Sequence, residues 1–92
     1  MPATPTRAPD ETKARHERLV RLGLEVSRRH CLARLIRRHN GQWALTVGRE
    51  TVYCAGAEGV YAYVTRNGLI LSPADDEGIA QAASRLAGGA AR

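Results

Sequence analysis

The sequence predicts an α+β domain with one or two N-terminal helical segments, a four-stranded antiparallel β-meander and a C-terminal helix. Three observations carry this. Apolar and polar side chains alternate from Trp43 to Ser72 through three short glycine-containing loops. An arginine-rich stretch with helical spacing precedes them, and a capping signature with an apolar stripe follows.

Met1–Pro9 holds three of the four prolines and is expected to be a disordered tail, leaving residues 10–89 as one small domain. A chain of 92 residues with one Trp, three Tyr and no Phe has a modest core. It buries only roughly 60% of its unfolded surface, and pairing as a homodimer would add burial.

Asp10–Leu22 reads as a helix opened by Pro9-Asp10 and supported by Glu11–Arg15 and Glu17–Arg21 at i,i+4. Gly23 interrupts its pattern, and the sequence admits either a helix that continues past Gly23 or a break there into a helical hairpin. Arg28–Asn40 admits two readings. As a strand it would turn back at Asn40-Gly41 and pair with Trp43–Val47, placing Arg34 and Arg38 beside Val47 and Trp43 on an apolar face. As a helix it places Cys31, Leu32, Leu35 and Ile36 on one side, with Ser27 as N-cap, Val26 and Cys31 as a hydrophobic staple and Asn40-Gly41 as the stop. The helix satisfies more requirements at once and is the expectation, with the strand as the alternative.

The strands are Trp43–Val47, Thr51–Ala55, Val60–Arg66 and Leu69–Ser72, separated by Gly48-Arg49-Glu50, Gly56-Ala57-Glu58-Gly59 and Asn67-Gly68. Counting through those loops sets Val47 opposite Thr51, Ala55 opposite Val60 and Arg66 opposite Leu69. One face then carries Trp43, Leu45 and Val47 with Tyr53, Val60 and Val64. The other carries Ala44 and Thr46 with Val52, Cys54, Tyr61, Tyr63 and Ile70. Ser72 to Leu86 closes the domain as a helix, with Ser72-Pro73-Ala74-Asp75 as a capping box and Ile79, Ala82, Ala83 and Leu86 as its apolar stripe.

Chemistry-bearing constellations are sparse. Asp75, Asp76 and Glu77 sit where a helix N-terminus collects acids for dipole reasons alone. His16, His30 and His39 share no short ligand spacing with each other or with Cys31 and Cys54, so no metal site is expected. No nucleophile elbow or phosphate-cradling glycine loop occurs. The chain is read as non-enzymatic, with no catalytic residues and no cofactor. No segment approaches the ~20 apolar residues that cross a bilayer, and Met1–Leu22 holds no apolar run of leader type. Two isolated cysteines suit reduced thiols and a cytoplasmic setting, without a membrane partner.

Net charge is +5, from thirteen Arg and one Lys against nine acids. Lys13 to His39 holds nine of the basic residues and two Glu, whereas Gly41–Gly89 is close to neutral. Two contact features follow. Arg29, His30, Arg34, Arg37 and Arg38, extended by Arg15, Arg18 and Arg21, would form a basic helix face able to meet several phosphates. Tyr61 and Tyr63, two apart on one strand, could stack nucleobases or pack beneath a helix. Two functions are therefore expected: a protein-interaction or regulatory module docking an acidic protein partner through a sheet or helix face, or a regulatory protein binding nucleic acid mainly through phosphates.

Overall fold

The computed structural model describes residues 7–90, which form α1 (Arg7–Arg28), β1 (Ala33–Arg37), β2 (Trp43–Val47), β3 (Glu50–Ala57), β4 (Val60–Thr65), β5 (Ile70–Pro73) and α2 (Asp76–Ala90). The expected α+β meander is present, with five strands rather than four, in the order β1-β2-β3-β4-β5. Every neighbouring pair is antiparallel. Of the expected tail, residues 1–6 lie outside the described residues and Arg7–Pro9 belong to α1. No described helix is long and apolar enough to cross a membrane.

The fifth strand is the arginine-rich segment, so the helix expected over Arg28–Asn40 is corrected to a strand. The reason is one residue of loop. His39-Asn40-Gly41 forms a three-residue turn in which Arg38 N–H donates to Gln42 O and Gly41 N–H to Arg38 O, both at 2.8 Å. Gly41 takes φ +88°, the left-handed position such a loop reserves for glycine. A two-residue Asn40-Gly41 turn would have set Arg34 and Arg38 against Val47 and Trp43. The longer loop sets Ala33, Leu35 and Arg37 opposite Val47, Leu45 and Trp43.

α1 does not break at Gly23. It runs on to Arg28 because glycine there lets the helix lie close on the sheet: a Cβ would sit 3.2 Å from Leu45 Cδ1. Leu19, Leu22 and Val26, at i, i+3 and i+7, point into the core and are fully buried. The helix stops at His30 rather than at Asn40-Gly41. His30 N–H donates to Ser27 O and Cys31 N–H to Val26 O, with His30 at φ +63°. This is a Schellman cap with histidine at the position where glycine is usual. Ser27 is thus an exposed helical residue, not an N-cap. His30→Gly should stabilise the domain by about 0.5–1 kcal/mol, since a side chain is penalised in that conformation. Thermal unfolding checks it: Tm should rise by several degrees, and a fall would mean the imidazole makes a contact that outweighs the strain.

The tight turns also decide the faces. Gly48-Arg49 is a two-residue turn with Gly48 at φ +59°, so Val47 lies opposite Glu50, not Thr51. That single residue turns β2 over relative to its neighbours. Trp43, Leu45 and Val47 therefore share a face with Val52, Cys54, Tyr61, Tyr63 and Thr65, not with Tyr53, Val60 and Val64. At β5 a bulge between Tyr63 and Val64 shifts the register, and Ile70 moves opposite Val64. Gly68 (φ +87°) closes a three-residue loop, with Gly68 N–H donating to Thr65 O and Thr65 N–H to Leu69 O.

Both helices cover one face. α1 lies over β1, β2 and β3, α2 over β5 and β2, and the helices touch each other. Between them and the sheet lies one core of Leu19, Leu22, Val26, Leu45, Val47, Val52, Cys54, Tyr63, Ile79, Ala82, Ala83 and Leu86. α2 carries its expected apolar stripe, but its cap is Asp75 rather than Ser72. Asp75 Oδ1 accepts from Gly78 N–H at 2.7 Å, while the Ser72 hydroxyl, buried at the end of β5, donates to Gly78 O at 2.7 Å.

Candidate binding surface

The expected contact residues divide between the two sides of the sheet. Tyr63 is fully buried beneath α1, where its hydroxyl donates to Arg18 O at 2.7 Å. Tyr61 lies on the same covered face. Its hydroxyl donates to the Glu11 carboxylate, and the Arg18 guanidinium sits 4.2 Å from its ring centroid. The Glu11 hydrogen bond raises the Tyr61 pKa. The pair is therefore a helix-packing device: of the two expected readings, packing beneath a helix is the one found, with Arg18 of α1 over the Tyr61 ring.

The arginines of α1 are likewise spent on the fold. Arg15 Nε and Nη2 donate to Gly56 O at 3.0 and 2.8 Å, tying α1 to β3. Arg21 pairs with Asp76 of α2 at 2.6 Å. Arg28 and Arg29 both bond Glu25, at 3.3 and 2.8 Å, and the Arg29 guanidinium holds the Glu25 carboxyl below its usual range. His30 is the αL cap. Arg29 and His30 thus sit at the helix end, apart from the strand arginines, and no continuous basic helix face exists.

Arg34, Arg37 and Arg38 have no carboxylate partner among the described residues. In β1 successive side chains point to opposite sides. Arg37 falls on the covered side, its guanidinium 5.4 Å from the Trp43 ring centroid, with His16 on the same indole at 4.4 Å between centroids. Arg34 and Arg38 fall on the side without helices. There Arg38 Nη1 donates to the Tyr53 hydroxyl at 3.2 Å, a bridge that crosses β2. Ala44, between Ile36 and that bridge, is fully buried although no helix covers it.

Around this bridge the uncovered face divides into two zones. The β1 side is basic, with Arg34 and Arg38. The β4–β5 side is aliphatic: Val64 and Ala62 are half-buried, Ile70 is 62% exposed and Val60 77% exposed. The strand registers place no Asp or Glu on this face. The acids of the described residues lie on α1, at the start of α2, in the turn at Glu58, or at Glu50, the first residue of β3, which is paired with Val47 on the covered side. Tyr53, Ile36, Val60, Val64 and Ile70 were not singled out as contact residues from the sequence. The one signal that could have found them is the two-residue count at Gly48-Arg49, which moves Tyr53 away from the indole face.

The covered face offers a different surface. A shallow groove between the helices is lined by Arg21, Leu24, Glu25, Arg28, Asp76 and Ile79, so its charges are already paired with each other. Among the thiols, Cys54 is buried and burial pushes it up to about 11, which keeps it protonated at neutral pH. The described residues hold no cluster of three or more metal-ligating side chains. No family model, curated protein or solved structure matches this chain.

Proposed function

We propose that this chain is a small non-enzymatic protein-interaction module whose uncovered sheet face takes an acidic protein partner. The observation that supports this most is the distribution of unpaired charge. Arg34 and Arg38, without carboxylate partners among the described residues, share one face with an exposed aliphatic patch, while on the helix side Arg21, Arg28 and Arg29 are paired with Asp76 and Glu25. A face with one sign of charge selects its partner electrostatically and repels the like-charged face of a second copy. Its aliphatic half supplies the apolar burial that an interface core needs.

Nucleic acid uses that face less well. Phosphates would engage Arg34 and Arg38, but Val60 and Ile70 would stay in water and Tyr53 alone offers a ring. The protein partner uses both zones.

Titration with an acidic, valine-containing peptide and, separately, with oligo-dT tests this by amide and methyl NMR shifts. The peptide should perturb Ile36, Tyr53, Val64 and Ile70, and Arg34→Glu/Arg38→Glu should weaken binding by about tenfold or more. Tighter, steeply salt-dependent binding of oligo-dT would transfer the site to nucleic acid. Peptide shifts confined to the helix layer would refute the sheet face.

A further inference from the structure

The two edges of the sheet are finished differently. β5 is four residues long, carries the bulge beside Tyr63 and ends in Pro73. Each of these features discourages another strand from adding. β1 has none of them: its five residues run in unbroken register with β2, without proline or bulge. Arg38 N–H donates to Gln42 O, so the backbone of Arg38 faces β2. The alternation of an antiparallel ladder then aims the backbone groups of Arg34 and Ile36 inward at β2, and those of Ala33, Leu35 and Arg37 outward. Among the described residues nothing bonds to those outward groups.

The edge is regular but also basic, with Arg34, Arg37 and Arg38 along it. A second copy of the strand would add three more arginines and no acid to this margin, an unfavourable concentration of like charge. An extended acidic segment meets no such barrier. We infer that β1 is a strand-addition site for an acidic extended segment of the protein partner, an inference that rests on the acidic-partner reading above. The guest strand continues the sheet, and its alternate side chains lie on the uncovered face beside Arg34, Ile36 and Arg38. Matching an antiparallel guest to Arg38, Arg37, Ile36, Leu35 and Arg34 in turn gives the pattern Glu-Glu-Val-Val-Glu.

The probe is the peptide acetyl-Thr-Glu-Glu-Val-Val-Glu-Thr-amide with two N-methylated copies. One copy is methylated on the second Glu and second Val, whose N–H groups would face Arg37 and Leu35. The other is methylated on the first Val, whose N–H points away. Saturating parent peptide should slow amide exchange at Leu35 and Arg37 by about tenfold or more, the inward-methylated copy should bind about tenfold more weakly, and the outward-methylated copy within about threefold of the parent. Equal binding of both methylated copies, unprotected Leu35 and Arg37 amides, or no parent binding at millimolar concentration overturns the inference. Because the protein itself is unchanged, loss of folding cannot imitate these results. If the methylated copies bind equally while Arg34→Glu/Arg38→Glu still weakens the parent peptide, strand addition fails and the sheet-face reading stands. If that variant binds the parent undiminished, the sheet-face reading fails with it.

Discussion

Tyr63→Ala is expected to remove most of the domain's stability. The ring is fully buried between the sheet and α1, and it is among the largest of the buried side chains. Removing it leaves a cavity that neighbouring Leu19, Leu22 and Val52 cannot fill, at about 3–5 kcal/mol for an aromatic deletion. The same change removes the hydrogen bond to Arg18 O, worth about 1 kcal/mol. A domain of this size holds roughly 5–10 kcal/mol in total, so most of its stability is at stake.

Urea denaturation measures this directly, with Tyr63→Phe as the control that keeps the ring and should lose only about 1 kcal/mol. The Phe variant carries a second signature. Burial raises the Tyr63 pKa, so the folded state holds its proton after the unfolded chain has released it at about pH 10. The stabilisation is complete below that pH and is lost as pH rises toward the folded value. Alkaline unfolding should therefore begin later in Tyr63→Phe than in the parent. An Ala variant within about 1 kcal/mol of the parent would show that the α1–sheet core is not packed as described.

Gly78→Ala should destabilise by about 3 kcal/mol, against the sign that helix propensity alone predicts. In an open helix position alanine is better than glycine by about 1 kcal/mol. At Gly78 a Cβ would stand 1.7 Å from Pro73 O and 2.7 Å from its carbonyl carbon. Both atoms are backbone, so no rotamer change relieves the clash, and α2 must lift from the end of β5. Overpacking of this kind typically costs 1–3 kcal/mol or more. The lift would also disturb the Ser72 and Asp75 bonds to the same residue. Gly88 is the internal control, because it is in α2 with nothing within 4 Å of its Cβ position. Gly88→Ala should stabilise by about 0.5–1 kcal/mol. Equal gains at both positions would mean that α2 does not press on Pro73.

Much of this architecture was legible because alternation and turn residues act locally. The meander from Trp43, the stripe of Ile79, Ala82, Ala83 and Leu86, and the all-antiparallel order follow from residue types within a few positions of each other. The errors came from single residues whose effect is not local. At Gly48-Arg49, two loop residues instead of three exchange the faces of β2. At His39-Asn40-Gly41, three instead of two remove the very clash that argued against a strand. Composition carries both possibilities equally, and only packing across the sheet chooses between them. Gly23 looks like a helix breaker in sequence, and its value lies in contact with Leu45, more than twenty positions away.

The contact residues were less legible for the same reason. Arg34, Arg37 and Arg38 stand out in sequence as one basic block, yet strand geometry divides them between two sides of the sheet. Tyr61 and Tyr63 look like a ligand platform until Glu11 and Arg18 are seen to meet them from α1. Tyr53 drew no notice because its importance depends on Arg38 reaching it from another strand.

The bulge and proline of β5 also bear on aggregation. Copies of a sheet protein polymerise edge to edge only when both margins of each molecule can take a strand, and here one margin is short, irregular and closed by Pro73. Head-to-tail growth of the folded domain through its two sheet margins is thereby disfavoured.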